Sequence, residues 1–230
     1  MINLNLLIGV FFLAATNVSA NAVAFDSVAD FSATQGESGW LYGYYDGDVA
    51  NPFSPDDFEA LTEFNNNRWS LQEGSGGFWT YLWSTGGHPN GTTPIGGRQL
   101  IEHWAVRRWV SDVNGLLSLQ GNLSKSTGAH GGNGVVGHIF VDGIEVFSQH
   151  ISGFDGVGIN YSLDVDISVG SIIDFAIDPF QASEAVDSTT FTALGTLASP
   201  VPVPATVWLF SSGLLGVIGM RKKSLKLSRK

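Results

Sequence analysis

VVGHIFVDGIEVFSQ, residues 135–149, is the stretch that decides the fold. Val135–Val141 and residues 144–149 are short apolar-rich runs, and only Asp142-Gly143 separates them. Asp-Gly tolerates the positive φ angles of a two-residue hairpin turn, so the segment predicts two tightly joined antiparallel strands. Downstream, residues 161–169 alternate, with Leu163, Val165, Ile167 and Val169 on one face. Gly170 then turns the chain into a run over residues 172–178, and residues 189–193 add a late strand. Upstream, residues 116–123 (LLSLQGNL) are bounded by Gly115 and the loop Ser124-Lys125-Ser126-Thr127-Gly128. Earlier strands are expected over residues 40–45, 78–83 and 101–110. The one helix-like segment is a weak turn at residues 55–64 (PDDFEALTEF), with Ser54 as N-cap and acidic residues in its first turn. Short strands at this spacing with glycine-rich turns predict an all-β fold, an antiparallel jelly-roll-like β-sandwich rather than a barrel.

Charge is distributed unevenly along the 230 residues. There are 11 Lys+Arg against 21 Asp+Glu, a formal net charge of -10. Arg221, Lys222, Lys223, Lys226, Arg229 and Lys230 supply six of the basic residues, and every acidic residue lies between Asp26 and Asp187. The body is therefore strongly acidic and the terminus basic. An acidic body argues against nucleic acid, whose phosphates need clustered Lys/Arg; it suits cations or neutral sugars. With 0 Cys, disulfides, thiol catalysis and cysteine metal sites are excluded, so stability must come from the core.

Both ends of the chain read as addresses. At the front, residues 4–15 are apolar and lead to Val18 and Ala20, which fit signal-peptidase cleavage after Ala20. The n-region Met1-Ile2-Asn3 has no basic side chain, so an uncleaved anchor is the alternative. At the back, Pro200-Val201-Pro202-Val203-Pro204-Ala205 precedes an apolar run ending at Met220, followed by RKKSLKLSRK. About 15 to 20 residues is barely enough to cross a hydrocarbon core as a helix, which favours a temporary tether over a permanent anchor. The basic cluster would hold the terminus in the cytoplasm and Trp208 would sit near the outer interface.

This tail resembles the PEP-CTERM sorting signal, in its VPLPA-like variant, of Gram-negative bacteria that make extracellular polysaccharide. The residues that carry the resemblance are Pro200, Pro202, Pro204, Ala205, Arg221, Lys222 and Lys223; Val203 stands where the PEP form has Glu, which leaves the choice of processing enzyme open. The resemblance implies an exosortase-type processing enzyme as partner, transient tethering in the inner membrane, and delivery to the cell surface, outer envelope or medium. The expected organisation is a signal peptide at 1–20, an exported sandwich at 21–199 and a sorting signal at 200–230, with a transmembrane helix at 205–220 and a basic tail at 221–230. Residues 105–191 look like a sandwich domain that recurs in secreted and cell-surface proteins, some with carbohydrate-active regions; the shared features are turns and core alternation, and no catalytic residue is carried over.

Within the body, aromatic residues are the first candidate site. Trp40, Trp69, Trp79 and Trp83 are the stacking candidates, since flat aromatic faces suit the apolar faces of sugar rings. Core packing is the competing reading: Trp40, Tyr42 and Tyr44 share one face with Leu41 and Tyr45 on the other, and Trp79 and Trp83 lie opposite Phe78 and Leu82. The second candidate is acidic. Asp164 and Asp166 point away from Leu163, Val165 and Ile167, while Asp174 and Asp178 point away from Ile173, Phe175 and Ile177. If the two runs pair, like charges face one another and calcium is a candidate occupant; pairing with arginine or plain solvation are the alternatives.

Arg107 and Arg108 are adjacent in a strand, so one of them must lie on a buried face. Burial calls for a carboxylate partner, and a core-edge salt bridge is the expected arrangement, with substrate binding as the alternative. His88, His103, His130, His138 and His150 are dispersed without a zinc spacing, and the glycine-rich residues 128–137 precede no helix that would make a phosphate cradle. The expected function is a structural or adhesive component of the envelope or exopolysaccharide matrix, not an enzyme and without a cofactor beyond calcium. The alternatives are a carbohydrate-binding module, marked by an exposed aromatic strip, and a polysaccharide-acting hydrolase or lyase, marked by two close carboxylates.

Overall fold

The computed structural model describes residues 22–46, 54–71, 77–94, 97–126, 128, 131–183 and 186–198. The proposed signal peptide, transmembrane helix and sorting residues lie outside these. Among the described residues no helix is long and apolar enough to cross a membrane. Asn21–Ala198 forms one compact unit.

In chain order the strands begin with β1 (Ala22–Asp26), β2 (Trp40–Asp46), β3 (Phe58–Ala60), β4 (Glu63–Asn65) and β5 (Arg68–Ser70). Next come β6 (Tyr81–Trp83), β7 (Gly86–His88), β8 (His103–Val110), β9 (Gly115–Lys125) and β10 (Val135–Val141). The last four are β11 (Ile144–Ile151), β12 (Ile159–Ile167), β13 (Ile172–Asp178) and β14 (Thr189–Leu197). They form two antiparallel sheets. The first runs β12-β9-β14-β7-β6-β5-β4, with β1 also on β14; the second runs β11-β10-β13-β8-β2-β3. From β7 onward successive strands change sheet, except for the β10–β11 hairpin. That connectivity is jelly-roll-like, as the strand spacing predicted.

The hairpin forms where the turn residues placed it. Val141 pairs with Ile144, and Asp142 and Gly143 take φ angles of 48° and 81°. The runs on either side of Gly170 behave differently. β12 pairs with β9 in the first sheet and β13 lies between β10 and β8 in the second. Their apolar faces meet across the core instead of lying side by side, so the chain at Gly170 crosses between sheets. Alternation told which side chains point inward but not which sheet receives the strand.

Between the sheets lies a core rich in aromatic rings. Phe25 packs edge-on against Trp40 at 5.2 Å and tilted against Trp109 at 4.6 Å, and Tyr42 stacks on Trp69 at 5.7 Å. Trp40, Tyr42 and Tyr44 all face this core, and Tyr45 faces the other way. The outer face of the second sheet carries its own small cluster of Tyr45, Val106 and Ala176, flanked by Phe58, Trp104 and Phe140. Its cover is the segment for which the sequence predicted a weak helix. Only Pro55–Asp57 makes a 3-10 turn, closed by a capping box with Ser54, and Phe58 is already extended. Phe58 pairs with Tyr45 and lies over Arg108 at 4.0 Å, contacts that a continued helix would forfeit. Gly43 permits this approach, since a Cβ there would come within 2.5 Å of the Phe58 ring.

The adjacent arginines do point to opposite faces. Arg108, on the outer face, makes a bidentate bridge to Asp174, with Nε and Nη2 each 2.7 Å from a carboxylate oxygen. The Tyr45 hydroxyl donates to the same carboxylate at 2.7 Å. This is the core-edge salt bridge that the sequence called for. Arg107 is buried in the main core without such a partner among the described residues: Nη1 donates to the carbonyls of Ser84 at 2.9 Å and Ser27 at 3.4 Å. Burial pushes its guanidinium down to about 10, which still leaves it charged at neutral pH.

Candidate functional site

β6 is only three residues long, yet its alternation builds the site. Leu82 points into the core and pairs with Trp69, while Tyr81 and Trp83 turn to the solvent side of the first sheet. Trp79, two residues ahead of Tyr81, continues the row although residues 78–80 are not strand. Its backbone N–H is held by the Asn90 side chain at 2.8 Å, and Thr80 between them is buried against His103. Trp79, Tyr81 and Trp83 therefore form a half-buried aromatic row on one outer face. The predicted opposition to Leu82 holds; Phe78 is half-buried against the His103 ring at 4.6 Å.

This row lines a groove of about 580 Å³ together with Arg68, Arg98, His88 and Val186. Trp83 and Val186 also line an adjoining hollow of about 710 Å³ whose other walls carry the hydroxyls of Thr85, Ser126, Ser188 and Thr190. Both volumes lie in the range of small-molecule sites, about 300–1,000 Å³. Trp83 is thus a ridge between two compartments, and its indole Nε1 donates to Thr85 Oγ1 at 3.0 Å. Arg68 lies over the Tyr81 ring at 4.3 Å and Arg98 over Trp79 at 5.4 Å. Arg98 Nη1 also donates to the Phe78 carbonyl at 3.4 Å. His88, buried beneath, donates through Nδ1 to the Pro89 carbonyl at 2.6 Å, and burial pushes its pKa down to about 4, so it is neutral at pH 7.

The wall shared by the two compartments is fixed from inside. Asp187, between Val186 and Ser188, is fully buried and pairs with equally buried Lys125 at 3.0 Å. Lys125 Nζ also donates to the Val186 carbonyl at 2.8 Å. Val186 has φ 65°, an unusual value for a β-branched residue, and this hydrogen bond ties it down.

Of the four tryptophans proposed for sugar stacking, the structure brings only Trp79 and Trp83 to a surface. Trp40 and Trp69, 1% and 5% exposed, belong to the core; Trp69 Nε1 donates to the Ser32 carbonyl at 2.9 Å. Alternation decided their fate, since both face the opposite sheet. The four aspartates proposed for calcium are not brought together. Asp164 and Asp166 lie exposed on β12, with Asp164 accepting a hydrogen bond from Ser118, whereas Asp174 and Asp178 lie on β13 in the other sheet. Asp174 is already bridged to Arg108, and Asp178 is 3.6 Å from His138 Nε2. No group of three potential metal ligands occurs among the described residues. The premise of side-by-side acidic strands fails because β12 and β13 are in different sheets.

Tyr81, Arg68, Arg98 and His88 complete the groove, although none of them was among the proposed stacking residues. Tyr81 shares the spacing of Trp79 and Trp83 and was legible. The arginines were not, because they reach the groove through the pairing of β5 with β6 and through the loop after His88.

No curated protein matches this chain. Among solved structures, similar regions occur in rabbit GITRL (11% identity, TM-score 0.28, 50% of this chain and 94% of that one). Another occurs in a ruminal GH26 endo-beta-1,4-mannanase (11% identity, TM-score 0.26), where the match takes in 63% of this chain and only 28% of that one. The recognisable family signal lies in the tail. Residues 200–223 match the PEP-CTERM protein-sorting motif, a signal that implies export to the cell surface and handling by an exosortase-type enzyme.

Proposed function

We propose that the protein is a polysaccharide-binding component of the cell envelope or extracellular matrix, acting by adhesion and not by catalysis. The observation that carries this reading is the half-exposed row of Trp79, Tyr81 and Trp83 on the outer face of the first sheet, flanked by hydroxyl and guanidinium groups. Sugar rings present apolar C–H faces and a rim of hydroxyls. An aromatic ridge beside Thr85, Ser126, Ser188 and Thr190 offers both kinds of partner at once. Trp83 is the expected stacking platform, because guanidinium groups lie over Tyr81 and Trp79. In this reading the tail delivers the protein, a short helix at 205–220 tethers it until processing, and the groove then attaches it to polysaccharide at the surface.

The test is a glycan array probed with the full chain in mild detergent, wild type against Trp83→Ala. Binding to one or more polysaccharides that drops roughly tenfold or more in the variant supports the reading, since stacking contributes about 1–3 kcal/mol per ring by analogy with base–aromatic stacking. Binding that is absent in the wild type, or unchanged by Trp83→Ala, refutes it. Release of reducing ends from a bound glycan would show an enzyme instead.

A further inference from the structure

A further hollow of about 570 Å³ opens on β9, β12 and β14, with Asp26, Gln120, Asn122, Asn160 and Thr192 in its lining. It lies on the same outer face of the first sheet as Trp83. Leu119, Leu123, Tyr161, Phe191 and Ala193 point into the core from these strands, so the residues between them point out, as Tyr81 and Trp83 do on either side of Leu82. Register joins the two ends of this face. Trp83 pairs with Gly86 and Gly86 with Thr190, which puts Trp83 and Thr190 in one row with only a glycine between them. The next outward row is Thr192, Asn122 and Asn160. Thr190 lines the hydroxyl compartment and Thr192 the further hollow, and two residues along a strand make a step of about 7 Å. From β6 through β7, β14 and β9 to β12 there are four strand spacings, about 19 Å in all.

Side-chain chemistry changes along this path, from aromatic rings at β6 through hydroxyls to amides at Gln120, Asn122 and Asn160. A carboxamide both donates and accepts hydrogen bonds, as sugar hydroxyls do, so the two are matched partners. Asn122 is pinned: its Nδ2 donates to Asn160 Oδ1 at 2.9 Å and to the carbonyls of Val157 at 3.3 Å and Ile159 at 3.4 Å. The N–H groups of Asn160 and the whole Gln120 amide keep their capacity for a ligand, and both side chains are exposed. No Lys or Arg lines this hollow among the described residues, whereas the Asp26 carboxylate does, and Asp164 lies exposed further along β12. That end of the face therefore disfavours a polyanion but accepts a neutral chain. We propose that the outer face of the first sheet is one track for the interior of a neutral polysaccharide, with a sugar stacked on Trp83 and later sugars hydrogen-bonded by Gln120 and Asn160. The proposal rests on the polysaccharide-binding reading above and adds a further subsite, the charge class of the ligand and a requirement for several linked sugars. Once Trp83 holds one part of the chain, the next part is presented to the amides at high effective concentration, so affinity rises with chain length until the track is filled.

The experiment reads affinity against chain length. Fragments of cellulose, mannan and dextran, from two to six sugars long, are titrated into the full chain in mild detergent, with alginate fragments of the same lengths as the acidic comparison. The expected result is at least one neutral series whose affinity rises about tenfold or more from the shortest to the longest member, the net gain of two ordinary hydrogen bonds. Gln120→Ala/Asn160→Ala alters two exposed side chains and should leave the urea midpoint and the affinity for the shortest fragment unchanged while removing most of that rise. Trp83→Ala should weaken binding at every length. A flat length profile, or a double variant that keeps the full rise, overturns the track and leaves binding at Trp83 standing. Alginate fragments that bind as tightly as the neutral ones, or that alone bind, overturn the neutral class. Failure of every fragment to bind, at any length, overturns both readings.

Discussion

Replacing Asp174 by leucine would remove the charge around which the outer face of the second sheet is organised. The carboxylate is 0% exposed and accepts three hydrogen bonds at 2.7 Å, two from Arg108 and one from the Tyr45 hydroxyl. Without it, a guanidinium under Phe58 loses its counter-charge and keeps only the Pro55 carbonyl, 2.7 Å from Nη2. Breaking a buried pair by removing one partner costs about 3–5 kcal/mol, and a stranded hydroxyl adds roughly 1 kcal/mol or more. Arg108 retains some contact with water, its side chain being 13% exposed, which places the total near the lower end, about 4 kcal/mol. For a domain of this size that corresponds to a fall in Tm of about 8–16 °C. The pair itself need not be stabilising. Arg108→Met/Asp174→Leu removes both charges and should cost far less than the sum of the single changes, with a coupling of about 2–3 kcal/mol. Urea unfolding of the wild type, both single variants and the double variant, followed by tryptophan fluorescence, measures this cycle. If Asp174→Leu unfolds within about 1 kcal/mol of the wild type, or if the single costs simply add, the account of this face is wrong.

Other expectations follow from the same contacts. His88 and His103 are both held neutral by burial, with pKa values pushed down to about 4; the carboxylate of Asp46, 3.5 Å from His103, is too exposed to reverse this. Unfolding frees both to bind protons near pH 6.5, so stability should be full above that pH and fall on acidification towards pH 4, by on the order of 3 kcal/mol for each histidine. His88→Gln should flatten that part of a stability-against-pH curve measured by urea unfolding. The tryptophans should divide by location: Trp40→Ala should cost about 3–5 kcal/mol, whereas Trp83→Ala should leave the urea midpoint nearly unchanged while removing glycan binding. Deleting residues 200–230 should abolish surface delivery, so that cell fractionation finds the truncated chain exported but absent from the cell surface.

Much of this architecture could be read locally. Asp142-Gly143 specified its hairpin because a two-residue turn needs positive φ at both positions, and Asp-Gly supplies them cheaply. The alternation around Trp40, Tyr42 and Tyr44 placed those rings inside because strand geometry sends every second side chain to the same face. The same reasoning put Trp79 and Trp83 opposite Leu82, and the tail revealed itself through proline, apolar length and charge, which need no fold at all. The helix expected after Ser54 failed because its capping signal was real but served a single turn, and the tertiary contacts of Phe58 then demanded extended backbone.

What only the tertiary structure decided is which residues become neighbours across sequence distance. A strand's alternation is the same in either sheet, so nothing local could say that the aspartates of β12 and β13 would be separated while Asp174 met Arg108. Nor could it say that Arg68 and Arg98 would converge on one aromatic row, or that Lys125 and Asp187 would pair beneath it. The sequence by itself determined the strands, their inward faces and the destination of the chain, because turn chemistry, period-two burial and membrane signals all act within a few residues. The groove exists because long-range strand pairing brings β5, β6 and β7 together, and that pairing is set by the packing of the whole core.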